Sequence, residues 1–259
     1  MKHLIVCWAA LLILFTSAVA QTTPAVPDCA AARAQITSLE AKLKDWPALG
    51  RYREANAKVA PRLKDERRVV FMGDSITDNW NRPAFGGFFP TRPYLDRGIS
   101  GQTTPQMLIR FPADVIALNP QVVVILAGTN DLAGNTGPTT LKAIEDNLAA
   151  MADLAKSKHI RVVLASVLPV SDYKSRDGKP IVRTTQRPPE QIRELNEWIK
   201  GFTREKKLTY LDYYSAMIDE KGFLRSELSD DGLHPNKAGY AVMSPLAEAA
   251  IDAALKSQR

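Results

Sequence analysis

The chain has 259 residues, 45% hydrophobic and 24% charged, which is enough apolar content for the core of one main domain. Its formal net charge is +6, yet Lys and Arg are interspersed with Asp and Glu. That pattern suits anionic surfaces mildly and lacks the clustered basic footprint of a nucleic-acid binder. Residues 1–20, "MKHLIVCWAALLILFTSAVA", have a basic start, an apolar run from Leu4 to Phe15, and small residues at Ala18 and Ala20. They predict a secretory signal peptide cleaved after Ala20 and a periplasmic or extracellular destination. The apolar run is short for a bilayer span, and the mature chain shows no other candidate span. Cys7 leaves with the signal, so Cys29 has no partner for an intramolecular disulfide.

"QTTPAVPD" (21–28) reads as a linker. "CAAARAQITSLEAKLKDW" follows, with Ala32, Ile36, Leu39 and Leu43 at helical spacing, and Asp28 is placed to cap it. "PALGRYREANAKVAP" predicts a second helical piece ended by Pro61. From Val69 the pattern changes. Apolar runs occupy 69–72, 122–127, 160–167 and 208–211, with a weaker strand candidate in "YLDRG" (94–98). Helical stretches lie between and after them, at 104–118, 138–157, 189–206 and 236–256. Near-continuous apolar strands alternating with helices predict a parallel sheet covered on both faces. The predicted organisation is a signal peptide at 1–20, a linker and N-terminal helical extension at 21–65, and a catalytic domain at 66–258.

In such a sheet, ligands bind beyond the carboxyl ends of the strands. The polar, Gly-rich features fall at that end: "GDSIT", "GISGQTT", "GTND", a long loop after the strand at 160–167, and "DDGLHPN" before the last helix. Nucleophilic catalysis by serine needs a base within reach and a group that orients the base. Besides the histidine of the signal segment there are two, His159 and His234. His159 sits where a helix hands over to a strand and reads as a helix C-terminal cation. His234 follows Asp231 by three residues across a Gly turn, so the carboxylate can reach the imidazole nitrogen turned away from the serine. Each block alone has a plain structural reading: a turn for "DGLHP", a cap for Asn130 and Asp131, a loop with a cap at Thr103 or Thr104 for "GISGQTT". Asp74 reads as a structural carboxylate that bonds nearby backbone amides.

Together, "GDSIT", "GISGQTT", "GTND" and "DGLHP" resemble the SGNH, or GDSL, hydrolases in residues, order and strand-end context, over roughly residues 66–255. Ile76 stands where that family often has Leu. The resemblance implies a flavodoxin-like three-layer α/β/α sandwich with a central parallel sheet of about five strands. It implies a serine esterase in which Ser75 attacks an acyl carbonyl, His234 takes its proton, and Asp231 holds the imidazole. The oxyanion hole would comprise the backbone amides of Ser75 and Gly101 and the side chain of Asn130. No metal or organic cofactor is implied. Substrates in the family range over acetyl esters on sugars, lysophospholipids, thioesters and aryl esters; export suits a small-molecule or carbohydrate ester, with no nucleic-acid partner.

Other readings compete. A metal-dependent phosphoesterase would use Asp74, Asp78, Asp131 and His234, but two mature-chain histidines without metal spacing are few. A non-catalytic ligand-binding module would not need the Ser, Asn, Asp and His set. "NWNRPAFGGFFPTRPY" (79–94) either lines an acyl pocket with Trp80, Phe85, Phe88 and Phe89 or packs into the core. The loop 171–189 is long for a strand-to-helix connection. It is either a solvated surface loop or a contact for the leaving-group side of an acidic glycan through Lys179, Arg183 and Arg187.

Overall fold

The computed structural model describes residues 29–257 except Gly86. The segments predicted as signal peptide and linker, and the expected cap Asp28, lie outside the described residues. Packing divides the chain after Ala41. Helix α1 spans Cys29–Lys44, and Ile36, Leu39 and Leu43 on its expected apolar stripe are 55%, 50% and 77% exposed.

In the segment that follows, only Arg53–Ala57 is helical (α2), a much shorter piece than the spacing predicts. The reason is local. The Asp45 carboxylate accepts from the backbone N–H groups of Leu49 and Gly50, both at 2.7 Å, and holds this stretch as a turn in competition with helix.

The central sheet has five strands: β1 (Val69–Gly73), β2 (Tyr94–Gly98), β3 (Val122–Leu126), β4 (Arg161–Ala165) and, after a small hairpin, β7 (Thr209–Leu211). Their order is β2-β1-β3-β4-β7, all parallel, with Val69 opposite Tyr94 on one side and Val122 on the other. This is the flavodoxin-like order. Side chains alternate faces along each strand. Val70, Met72, Val123, Ile125, Val162 and Leu164 meet one core, which includes residues of α4 (Thr104–Asp114), α6 (Leu141–Ser157) and α7 (Pro189–Lys206). Val69, Phe71, Val122, Val124, Leu126 and Val163 meet the other, shared with α3 (Ser75–Trp80), α8 (Tyr214–Met217) and α9 (Lys237–Lys256). Three layers result, as expected.

Boundaries shift where side chains compete for the backbone. Thr103 caps α4 through a reciprocal capping box with Gln106. A separate 3₁₀ turn, Ile116–Leu118, completes the stretch predicted as one helix. Thr140 caps α6 by accepting from the Ala143 N–H, so that helix starts at Leu141 and not at 138. The long loop contains an antiparallel hairpin, β5 (Ser175–Arg176) and β6 (Lys179–Pro180), joined by Asp177–Gly178, a dipeptide that favours tight hairpin turns. His159 sits just past α6 in the left-handed region, as a helix end allows.

Candidate active site

The carboxyl ends of β1, β2, β3 and β4 and the loop before α9 converge on one site. Ser75 opens α3 directly after β1. Asp74 caps that helix, its Oδ1 accepting from the Ile76 N–H at 2.9 Å, which is the structural role expected of it. Asp74 is buried, its Oδ2 has no hydrogen-bond partner among the described residues, and burial pushes its carboxyl up to about 6.

His234 Nε2 lies 2.9 Å from Ser75 Oγ, and His234 Nδ1 lies 2.8 Å from Asp231 Oδ2. An ionised carboxylate only accepts, so Nδ1 carries the proton and Nε2 is free to accept from the serine hydroxyl. Asp231 Oδ1 also accepts from the backbone N–H groups of Leu233 and His234, at 3.0 and 2.8 Å. Burial works to raise the Asp231 carboxyl, but its bonds with His234 outweigh that and hold it well below the usual carboxylate range. The turn between them needs glycine. Gly232 has φ +76, and a Cβ there would stand 2.1 Å from the Ser171 carbonyl oxygen. Ser229 Oγ donates to the His234 carbonyl at 2.7 Å, and Tyr240 on α9 donates to the Ile76 carbonyl at 2.7 Å, tying the histidine segment to the serine helix.

Opposite the histidine, Gly101 sits in the loop between β2 and α4 with φ +81, a conformation that suits glycine. Among the described residues, an added Cβ would meet the Asn135 side chain alone, at 3.9 Å, so the backbone conformation, not a Cβ clash, is what calls for glycine here. Asn135 Nδ2 donates to the Gly101 carbonyl at 3.0 Å. Asn130, in α5 (Thr129–Leu132) after β3, donates from Nδ2 to the Gln102 carbonyl at 3.0 Å. Neighbouring Asp131 turns away and accepts from the Thr104 N–H and hydroxyl. The fully buried Arg110 joins the two loops, donating to Gln102 Oε1 at 2.6 Å and to the carbonyl of Gly73, just before Asp74, at 3.0 Å.

The segment ahead of β1 also reaches this loop. Gln102 Nε2 donates to the Pro47 carbonyl, Gln106 Nε2 to the Trp46 carbonyl, and the Tyr52 hydroxyl to the Gly98 carbonyl. A cavity of about 460 Å³, within the usual size range of small-ligand sites, lies beside Gly101, with Asp45–Trp46 and Gln102 among its walls.

The structure bears on three of the readings left open above. Trp80, Phe85, Phe88 and Phe89 pack with Phe71, Tyr94 and Tyr240 at ring separations of 4.9–6.0 Å; Trp80 is buried, while the three phenylalanines are half-buried and Phe85 borders a cavity beside Asp230 and Asn236. Arg183 and Arg187 are already engaged by the protein. Arg183 Nη2 bonds Asp231 Oδ2 at 3.0 Å and its Nε bonds the Asp231 carbonyl. Arg187 donates to Thr129 Oγ1 at 3.1 Å and to Asn130 Oδ1 at 3.3 Å. Only Lys179 of that trio stays exposed, on the hairpin. Three of the four side chains of the metal reading are engaged separately as well: Asp78 accepts from Ser100 Oγ at 2.6 Å, Asp131 holds Thr104, and His234 holds Asp231; the fourth, Asp74, caps α3 through Oδ1. Among the described residues, no group of three or more His, Cys, Asp or Glu side chains is gathered to bind a metal.

A serine, an imidazole and a carboxylate aligned at the carboxyl end of a three-layer α/β/α sheet form the constellation suited to nucleophilic acyl transfer. Comparison with known proteins gives the family. Residues 71–242 match the model of the GDSL-like Lipase/Acylhydrolase family. A Bacteroides fragilis protein described as an acylhydrolase is 39% identical, covering 82% of this chain and 99% of that one, with a TM-score of 0.73. A GDSL-like lipase from Bacteroides thetaiotaomicron is 41% identical over 80% of this chain and 98% of that one, also with a TM-score of 0.73. An acetylxylan esterase from Geobacillus stearothermophilus, solved as a catalytic mutant, shares the fold at 21% identity, over 74% and 96% of the two chains and with a TM-score of 0.58. No curated protein matches the chain in sequence. The chain belongs to the GDSL-like lipase/acylhydrolase family and is a carboxylic ester hydrolase.

Proposed function

We propose that the protein hydrolyses short-chain, chiefly acetyl, carboxylic esters carried on carbohydrates, through an acyl-enzyme on Ser75. The observation that carries the mechanism is the unbroken line of contacts from Ser75 Oγ through His234 to Asp231, at 2.9 and 2.8 Å. His234 Nε2 takes the serine proton as Oγ attacks the acyl carbonyl. Asp231 stabilises the imidazolium and keeps the tautomer correct. The tetrahedral oxyanion is met by the N–H groups of Ser75 and Gly101 and by the Asn130 amide. His234 then gives its proton to the leaving alcohol, and water repeats the sequence to release the acid.

The substrate reading rests on three supports. The aromatic residues after Ser75 pack mainly against one another and the sheet, which leaves little of their surface to hold a long acyl chain. The cavity beside Gly101 has polar side chains such as Gln102 and Asn135 in its walls. The first twenty residues read as an export signal, which favours action on extracellular or periplasmic glycans. Initial rates on aryl esters from acetyl to decanoyl, beside an O-acetylated oligosaccharide, a lysophospholipid and an acyl thioester, test this. The acetyl and glycan esters should turn over fastest. A maximum at long acyl chains, or on the lysophospholipid or thioester, would replace the substrate class while leaving the serine mechanism in place.

A further inference from the structure

We propose that Arg187 is a positioning residue of the oxyanion hole, a buried guanidinium that locks the Asn130 amide with one N–H aimed at the substrate oxygen and keeps positive charge directly behind it. The inference rests on Asn130 being an oxyanion donor.

Arg187 is only 5% exposed, and among the described residues no carboxylate forms an ion pair with it. Burial pushes the guanidinium down from its usual value and outweighs the Asp74 and Asp231 carboxylates, which favour its charge from a distance, so such a residue calls for a reason. Its hydrogen bonds go to two neighbours in one helix, Thr129 Oγ1 from Nε and Asn130 Oδ1 from Nη2. The other end of the same amide faces the Gln102 carbonyl, to which Nδ2 donates at 3.0 Å.

These two contacts leave Asn130 one orientation. A carboxamide has nearly the same shape when its oxygen and nitrogen are exchanged, but its partners here are not symmetric. A guanidinium has only donors, so the atom against it must be the oxygen. A backbone carbonyl only accepts, so the atom against it must be the nitrogen. The flipped amide would set N–H groups against a cation and oxygen against oxygen, losing both bonds. With Oδ1 and one N–H taken, a single N–H of Asn130 remains, and it is the one assigned to the oxyanion. A hydrogen bond from a charged donor to Oδ1 also polarises the amide and strengthens that remaining donor. Oxyanion stabilisation depends on dipoles already held in place before charge develops. Arg187 supplies both the hold and the charge, although it lies 57 residues away in sequence from the amide it fixes.

A double-mutant cycle tests the proposal. The variants Arg187→Met, Asn130→Ala and the pair together are measured on a small aryl acetate, with kcat and KM separated and Tm recorded. Arg187→Met should lower kcat about 10–100-fold, less than the roughly 10²–10³ for losing the donor itself, with KM changed less than about twofold. In the Asn130→Ala background the same substitution should cost less than about threefold, because the group it acts through is gone. Arg187→Lys keeps a donor and a charge and should recover part of kcat; if Arg187→Met does not fold, Arg187→Lys is carried through the same two backgrounds. Losses that multiply in the double variant, a change confined to KM, or a fall in kcat that follows Tm would overturn the proposal. An Asn130→Ala variant with normal kcat would remove the oxyanion reading itself, a failure visible before Arg187 is changed.

Discussion

The two halves of the proposed site are built differently. The proton-transfer half, Ser75, His234 and Asp231, comes from two short stretches and is partly open, with the His234 side chain 31% exposed. The proposed oxyanion half, Gly101 in a loop and Asn130 in α5, rests on buried groups: Arg110, Gln102 and Arg187. The difference follows from the work each does. An imidazole that must accept a proton and hand it on needs room and access to solvent. Dipoles that stabilise charge work best when they cannot move, and immobility comes from packing and from satisfied hydrogen bonds. The proton side is therefore tied down mainly by its own turn, whereas the oxyanion side is tied down by residues from across the domain.

Removing the nucleophile breaks the first half outright. Ser75→Ala should lower kcat by on the order of 10⁴ or more with little change in Tm, since Ser75 contributes no core packing. Comparable rates in a pure sample would take Ser75 out of the chemistry. The second half should break less deeply. Asn130→Ala should cost roughly 10²–10³ in kcat on the same aryl acetate, because the backbone donors remain. An effect on KM alone would make Asn130 a ground-state contact.

Support of the proton half should matter least of the three. Arg183 pairs with Asp231 at 3.0 Å but is partly exposed, and such pairs contribute modestly. Arg183→Met should reduce kcat by only about 3–10-fold, while His234 still bonds Asp231. A loss as large as that of Asn130→Ala would show that this half also depends on a distant hold.

Asp74 lies beneath both halves and sharpens the comparison through stability. Its native carboxyl sits at about 6, raised from 3.8 by burial. The folded protein therefore keeps this proton at pH values where the unfolded chain has lost it. Stability from this group falls as pH rises from about 4 to 6, and the penalty persists above that window. Asp74→Asn can still accept from the Ile76 N–H and has no charge to bury. Its stability relative to the parent should improve by on the order of 2–3 kcal/mol between pH 4 and 7, read as a widening Tm difference. A constant difference across that range would mean that Asp74 is not the buried titrating group.

Legibility in the sequence follows the same division. Strands β1, β3 and β4 are buried on both faces and stand out as unbroken apolar runs, while β2 is an edge strand whose polar Asp96 and Arg97 weaken the pattern. Ser75, Gly101, Asn130, Asp231 and His234 are each marked by a local signal: a strand end, a Gly turn or a three-residue spacing. Arg187 is not. In "RTTQRPP" it looks like any solvated loop cation, and only contacts with residues 57 and 58 positions away bury it. Arg110 is equally silent inside α4, where an arginine ordinarily faces water. The part played by residues 46–52 was hidden too, because their bonds to Gln102, Gln106 and Gly98 run through backbone carbonyls or a lone hydroxyl.

The central claim is that Ser75 becomes acylated with His234 as its base. Treating the protein with an aryl-activated organophosphonate and locating the adduct by peptide mass spectrometry tests it most directly. One adduct per chain, on Ser75, formed rapidly by the parent and lost or slowed by orders of magnitude in His234→Ala, is the predicted result. No adduct on a protein that turns over esters, or an adduct on another residue, or labelling of Ser75 at an undiminished rate without His234, would contradict it.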